Sequence, residues 1–320
     1  MKTDELIALG NKYYNSSMFI EAFDTFQKAS IIGDKYALLM LGKLYYFGEG
    51  VDQDYSKVIE YLTKVENDYE EAMIILGNCY LYELGVKKDI NKALDYYLRA
   101  ANRNDIEGII AVCYCYKNDI GINDNNKEEY FEYVKRAKEL DCSGFLAFLG
   151  ECYYYGFGVD IDYKKACDYF LEGAKKREDE SYFYLGLMNL LGKGMDINYK
   201  KAYRLFKEAS KLGNVEAYNY LAEMKIKGQG VFKSVSKAIK YYLKAINKNN
   251  LDAMYKLARI YSKGELVYKN QEKAFELYLL AASNGHKEAM IKVGECYSYG
   301  IGVKKNQKEA QRWYKNGNTK

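Results

Sequence analysis

The sequence predicts an all-α fold, a solenoid of about nine helix-turn-helix repeats. Three observations carry that prediction. A Gly-Val landmark recurs at Gly50-Val51, Gly85-Val86, Gly121-Ile122, Gly158-Val159, Gly194-Met195, Gly230-Val231, Leu266-Val267 and Gly302-Val303. Its spacings are 35, 36, 37, 36, 36, 36 and 36 residues, a period that marks stacked repeats. Ahead of each landmark, apolar residues fall three and four apart, as at Ala37, Met40, Leu41, Leu44 and Tyr45, one face of a helix. Three residues past it stands Asp54, Asp89, Asn125, Asp162, Asn198, Ser234, Asn270 or Asn306, each able to accept the free amides of a helix start.

The units follow in order. The first, residues 1–34, carries Leu9-Gly10 and Tyr13 but lacks the Gly-x-Gly loop. First helices of the later units centre on Leu41-Gly42, Leu76-Gly77, Val112-Cys113, Leu149-Gly150, Leu185-Gly186, Leu221-Ala222, Leu257-Ala258 and Val293-Gly294. Each is ended by a loop glycine, for which positive φ is cheap, although Glu83 and Asp119 replace the first of the pair in two units. Second helices then start at the capping residues, and Asn125 with Glu128 and Asn306 with Glu309 resemble capping boxes. A small residue follows at Ala93, Ala166, Ala202, Ala238, Ala274 and Ala310, letting paired helices approach closely. Tyr96, Tyr169, Phe206, Tyr241, Tyr278 and Trp313 are expected to fill the space between repeats. The final helix is expected to end near Trp313-Tyr314.

At 320 residues the chain exceeds twice an average domain, so a single compact core is disfavoured. An apolar content of 49% excludes wholesale disorder, and the absence of proline disfavours collagen and polyproline architectures. With 48 basic and 44 acidic residues the formal charge is +4, which gives nucleic acid little to hold. A repeat that reads RNA base by base would want a more basic groove. Met1-Lys2-Thr3-Asp4-Glu5 runs straight into an amphipathic segment and no apolar run is long enough to span a bilayer. A cytoplasmic protein without membrane insertion is therefore expected. Seven cysteines, an odd number, point to free thiols.

The pattern Ala…Leu-Gly-x-x-Tyr-x-x-Gly-x-Gly-Val-x-x-Asp-x-x-Lys-Ala…Tyr-Tyr…Ala-Ala resembles the Sel1-like repeat, a relative of the tetratricopeptide repeat. Ala72 through Ala101 match almost throughout, and the units from Ala217, Ala253 and Ala289 match well. The stretch between Gly108 and Ala137 is weakest, with Cys113 in place of the glycine. The resemblance implies one right-handed superhelical solenoid over residues 1–320. Within it, residues 1–34 form a tetratricopeptide-like first repeat and residues 35–320 form eight Sel1-like repeats.

Such a family implies a non-enzymatic scaffold or adaptor that binds a protein or peptide on its concave face. By analogy with tetratricopeptide repeats, the first helices line that face. The candidate partner-binding residues are Tyr46, Phe47, Tyr82, Tyr114, Tyr154, Tyr155, Leu187, Leu190, Tyr255, Arg259 and Tyr299. Tyrosine suits such surfaces, offering contact area and a polar tip. Groove charge shows no preference: Glu151, Glu223 and Glu295 stand against Lys43, Lys117, Lys227, Arg259 and Lys263. The C-terminal repeat could support self-association.

Sharper chemistry finds less support. Cys79, Cys115, Cys152 and Cys296 share one interior repeat position and read as core. Cys113 and Cys115 point to different faces of a helix and His286 is the single histidine, so neither metal nor cofactor is expected. Ser234-x-x-Lys237 matches the penicillin-recognising motif, and some secreted relatives suggest a β-lactam-binding hydrolase. Yet Ser234 occupies the helix-cap position. An immunity factor neutralising a toxin is a third reading.

Overall fold

The computed structural model describes residues 2–118, 120, 127–140 and 144–318. Asp119, Gly121-Ile122 and Asn125 lie outside the described residues. Eighteen α-helices and no strands occur among those described, two to each of nine successive helix-turn-helix units. The chain divides into two compact units, Met1–Ile161 and Asp162–Lys320.

In the first unit the helices are α1 (Thr3–Asn15), α2 (Phe19–Ile31), α3 (Lys35–Phe47), α4 (Tyr55–Leu62), α5 (Glu70–Tyr82), α6 (Ile90–Asn102), α7 (Ile106–Lys117), α8 (Lys127–Glu139) and α9 (Phe145–Tyr155). The second holds α10 (Tyr163–Lys175), α11 (Asp179–Leu191), α12 (Tyr199–Leu212), α13 (Glu216–Lys227), α14 (Val235–Ile246), α15 (Leu251–Lys263), α16 (Gln271–Ser283), α17 (Lys287–Tyr299) and α18 (Gln307–Asn318). Within each unit, helices consecutive in sequence pack on one another. The core is accordingly a chain of local clusters and not one centre. In the second unit, clusters around Phe206, Tyr242 and Tyr278 each draw side chains from three or more successive helices. No hairpin could bury such a face alone.

Packing turns on a notch and a ring. At Gly77 a Cβ would lie 2.5 Å from Cε1 of Tyr97, and at Gly186 and Gly294 it would lie 2.7 Å from the rings of Phe206 and Tyr314. Leu62 fills the same place opposite Gly42. The partner thus stands 20 residues after the glycine. Inside the hairpin the notch is held by Tyr97, Phe206 and Tyr314. Of the residues expected between repeats, Tyr241 meets the Tyr203 hydroxyl of the preceding repeat at 3.0 Å and Trp313 packs against the Tyr278 cluster. Tyr96 stacks on Tyr80 and donates its hydroxyl to Glu66, at 2.7 Å. The small residues Ala93, Ala166, Ala202, Ala238, Ala274 and Ala310 are all buried.

The loops follow their chemistry. First loop glycines such as Gly48, Gly156 and Gly192 cap first helices in the left-handed conformation. Asp54, Asp89, Asp162, Asn198, Ser234, Asn270 and Asn306 each accept an amide hydrogen bond at the start of a second helix. The backbone amide of the cap donates to the carbonyl nine residues back, as from Asp89 to Tyr80 (3.0 Å), Ser234 to Lys225 (2.9 Å) and Asn306 to Tyr297 (2.9 Å). That bond occupies the Asn306 amide a capping box would need, so only half the box with Glu309 forms. Helix α18 runs past Tyr314 to Asn318 because its last turn packs on α17, Gly317 lying against Ile291 and Met290.

Glu83 occupies the left-handed cap of α5 at φ +60°. A side chain there costs about 1–2 kcal/mol, and glycine's larger unfolded-state entropy offsets about half of that. Glu83→Gly is expected to stabilise the chain by about 0.5–1 kcal/mol in urea unfolding.

Candidate functional site

First helices present their outward side chains beside one another, and a cleft opens between neighbours over an aromatic floor from the second helix. In the first unit this cleft lies between α5 and α7 and is floored by Tyr97 of α6. Tyr97 is locked in place, its hydroxyl donating to Asn78 Oδ1 at 2.7 Å. Burial pushes its phenol well above the ordinary range. Asn78 also hydrogen-bonds Tyr46. The rims carry Tyr82, Ile110 and Tyr114, which are 58%, 43% and 50% exposed. Three large apolar side chains facing water around one concavity of about 260 Å³ form an exposed apolar patch and not a core.

Four repeats later the same cleft recurs in the second unit between α13 and α15, with Tyr242 of α14 as floor. Register places Lys227 where Tyr82 stood, Arg259 where Tyr114 stood, and Lys256 in place of Ala111. Lys256 bonds Glu223 Oε1 at 2.8 Å and Asp252 Oδ2 at 2.7 Å. Partial burial opposes its charge, but the two carboxylates outweigh that and hold the ammonium above its usual range. Beneath them Asn219 is fully buried and donates to Asn250 Oδ1 at 3.0 Å.

The sequence-predicted site residues divide by exposure. Phe47, Tyr82, Tyr114, Tyr155, Arg259 and Tyr299 are exposed, while Tyr46, Leu190 and Tyr255 are half-buried. Tyr154 and Leu187 are 3% and 6% exposed. Leu187 joins the cluster around Phe206, and Tyr154 sits edge-on to Tyr155, their ring centroids 4.8 Å apart. Both are buried, and Leu187 lies on the flank of its helix that meets its neighbours. The structure brings Tyr82 and Tyr114 together in the first unit. It places Arg259 beside Tyr255 in the second, the guanidinium carbon 5.9 Å from the ring centroid.

Sequence reasoning overlooked Ile110, Lys256 and the caps of the first helices. Asp34, Asp105 and Asn250 accept amides there. His286 does likewise: its Nδ1 accepts from Ala289 at 3.1 Å while the ring stacks on Tyr255, so the turn histidine is a structural cap. The Ser234 hydroxyl is the cap for the Lys237 amide, at 3.4 Å. Cys79, Cys115, Cys152 and Cys296 are buried, and burial pushes their thiols up to about 12, 11, 12 and 11. Thiols so raised are poor nucleophiles. Among the described residues, no cluster of three or more potential metal ligands occurs, and no helix is long and apolar enough to cross a membrane.

The Sel1 repeat family model matches residues 35–64, 70–105, 145–177, 179–214, 215–250, 251–286 and 287–316. The chain belongs to the Sel1 repeat family. Residues 1–34 and 106–144 fall outside the seven matches, the second being the stretch with Cys113 where the pattern is weakest. Among solved structures, the chain is 25% identical to a protective antigen of uropathogenic Escherichia coli strains that displays an SLR fold. That match covers 98% of this chain and 68% of the other, with a TM-score of 0.67. A Sel1 repeat protein from Oxalobacter formigenes is 23% identical over 99% of this chain and 98% of its own, with a TM-score of 0.54. No curated protein matches the chain in sequence. Sel1 repeat proteins generally mediate protein–protein interactions.

Proposed function

We propose that this Sel1 repeat protein is a non-enzymatic adaptor that binds a protein or peptide partner along the outward face of its first helices. The observation that carries this reading is the cleft between α5 and α7, where Tyr82, Ile110 and Tyr114 stand exposed over the fixed Tyr97. Aromatic side chains pre-positioned by a rigid floor lose little entropy on binding and commonly dominate interface energetics. Tyr46 and Phe47 stand on the preceding first helix, with ring centroids 5.1 Å apart. The interior thiols and the capping roles of Ser234 and His286 leave these side chains occupied with structure. Affinity capture from native lysate with the wild type and with the Tyr82→Ala/Tyr114→Ala variant tests the proposal. Proteins enriched by the wild type are expected to be lost from the variant, about tenfold or more for two hot-spot aromatics. Equal capture by both, with unfolding midpoints unchanged, would overturn it.

A further inference from the structure

The cleft between α13 and α15 shares its architecture with the aromatic one but not its chemistry. Four cations, Lys227, Lys256, Arg259 and Lys263, line it against two carboxylates, Glu223 and Glu265. Ile226, Ile260 and Leu266 supply apolar wall, and the volume is about 360 Å³. Leu266 replaces the second loop glycine, the one substitution at that position among the described loops. The carboxylates are already engaged. Glu223 and Asp252 both clasp Lys256, Glu223 also reaches Lys227 at 3.6 Å, and Glu265 lies 3.8 Å from Lys263.

Arg259 is different. Among the described residues it has no carboxylate within ion-pair distance, and it is exposed. Its guanidinium leans on Tyr255, whose ring is stacked on His286 with centroids 4.8 Å apart and packs 5.6 Å from Tyr278. The side chain is thereby propped with its donor fork free, as bidentate capture of a carboxylate requires.

We infer that this cleft docks an acidic peptide segment of a partner protein, with one Asp or Glu side chain on Arg259 and a neighbouring aliphatic side chain against Ile226, Ile260 and Leu266. The inference rests on the interaction reading above and names the partner's chemistry at a second place. A carboxylate next to an aliphatic group satisfies both halves of the cleft. A nucleic acid would satisfy only the cations, since the aromatic floor, Tyr242, is buried and offers no ring face for a base.

The test pans a displayed library of random peptides on the full chain. Fluorescein-labelled copies of the enriched sequences are then titrated by anisotropy against wild type, Arg259→Glu, Arg259→Gln and Tyr82→Ala/Tyr114→Ala. Enriched peptides are expected to pair Asp or Glu with Leu, Ile or Val. Their affinity is expected to fall about tenfold or more with either Arg259 variant, as loss of a charge-assisted bidentate pair requires, and to be unchanged in the tyrosine variant. The same fall is expected when the peptide carboxylate is replaced by its amide. Peptides without acidic residues, or acidic peptides indifferent to Arg259, would overturn the inference. If their binding fails instead in the tyrosine variant, the interaction reading stands and this one falls. If no peptide is enriched, both fall. A labelled single-stranded RNA that binds the wild type more tightly than any enriched peptide, and not Arg259→Glu, would also overturn it.

Discussion

Truncating Phe206 to alanine is expected to lower the unfolding free energy by about 3–5 kcal/mol, the range for removing a fully buried phenylalanine. The ring is inaccessible to solvent and bridges three helices. It occupies the notch left by Gly186 on α11, and it stacks on Tyr220 of α13 with centroids 5.0 Å apart and planes 17° from parallel. It also tilts against Phe183, 5.7 Å away. Losing it removes intra-hairpin and inter-hairpin packing together, and the backbone of three helices cannot collapse into the void. Urea unfolding of the full chain measures the loss; a value below about 1 kcal/mol would place the ring outside the core. The glycine supplies an independent check. A methyl at Gly186 should be costly against Phe206 but largely accommodated once the ring is gone, so the two substitutions should couple strongly. Ala222 and Ala258 show a methyl accepted at this position opposite Tyr242 and Tyr278, where the surrounding side chains are set for it.

This packing also shows what the sequence could and could not disclose. Caps and loops are governed by chemistry within a few residues, so Asp54, Asn198 and the left-handed glycines were legible from one repeat. The notch partner was not, because adjacent aromatics such as Tyr96 and Tyr97 compete for it and helical rotation between paired helices decides. Exposure on the first helices is harder still. Tyr154 and Tyr155 are neighbours of one type, yet one is buried and the other faces water, since successive residues of a helix point to different sides and residue type does not record which side packs. The clefts were half legible. Tyr82, Tyr114 and Arg259 stand out as types at outward positions, whereas Ile110 and Lys256 acquire meaning only when two successive first helices are set side by side. The neutral overall charge likewise hid a local excess around Arg259, because the balancing carboxylates there are spent on Lys256.

Gly230→Ala is expected to be about as damaging as the loss of a core side chain, at about 3 kcal/mol, from two separable causes. The residue sits at φ +68°, where any L side chain pays for the left-handed backbone with about 1–2 kcal/mol. In addition, its missing Cβ points at the start of the preceding unit's second helix, meeting the Tyr199 carbonyl carbon and lying 2.5 Å from the Lys200 amide nitrogen. Main chain cannot rotate away as a flexible side chain can, so the two units must separate locally or the loop must rebuild. The same close approach recurs at Gly85 on Tyr55 and at Gly194 on Tyr163, which makes this contact a general seam between repeats. Gly33→Ala isolates the first cause: Gly33 has φ +92° with nothing within 4 Å of its absent Cβ, so only about 1–2 kcal/mol should be lost. Urea unfolding of both variants decides the matter. An equal cost would mean that backbone strain is the whole effect and that the seam adds nothing. A clear excess at Gly230 would establish that glycine is required there because the preceding repeat occupies the space a methyl needs.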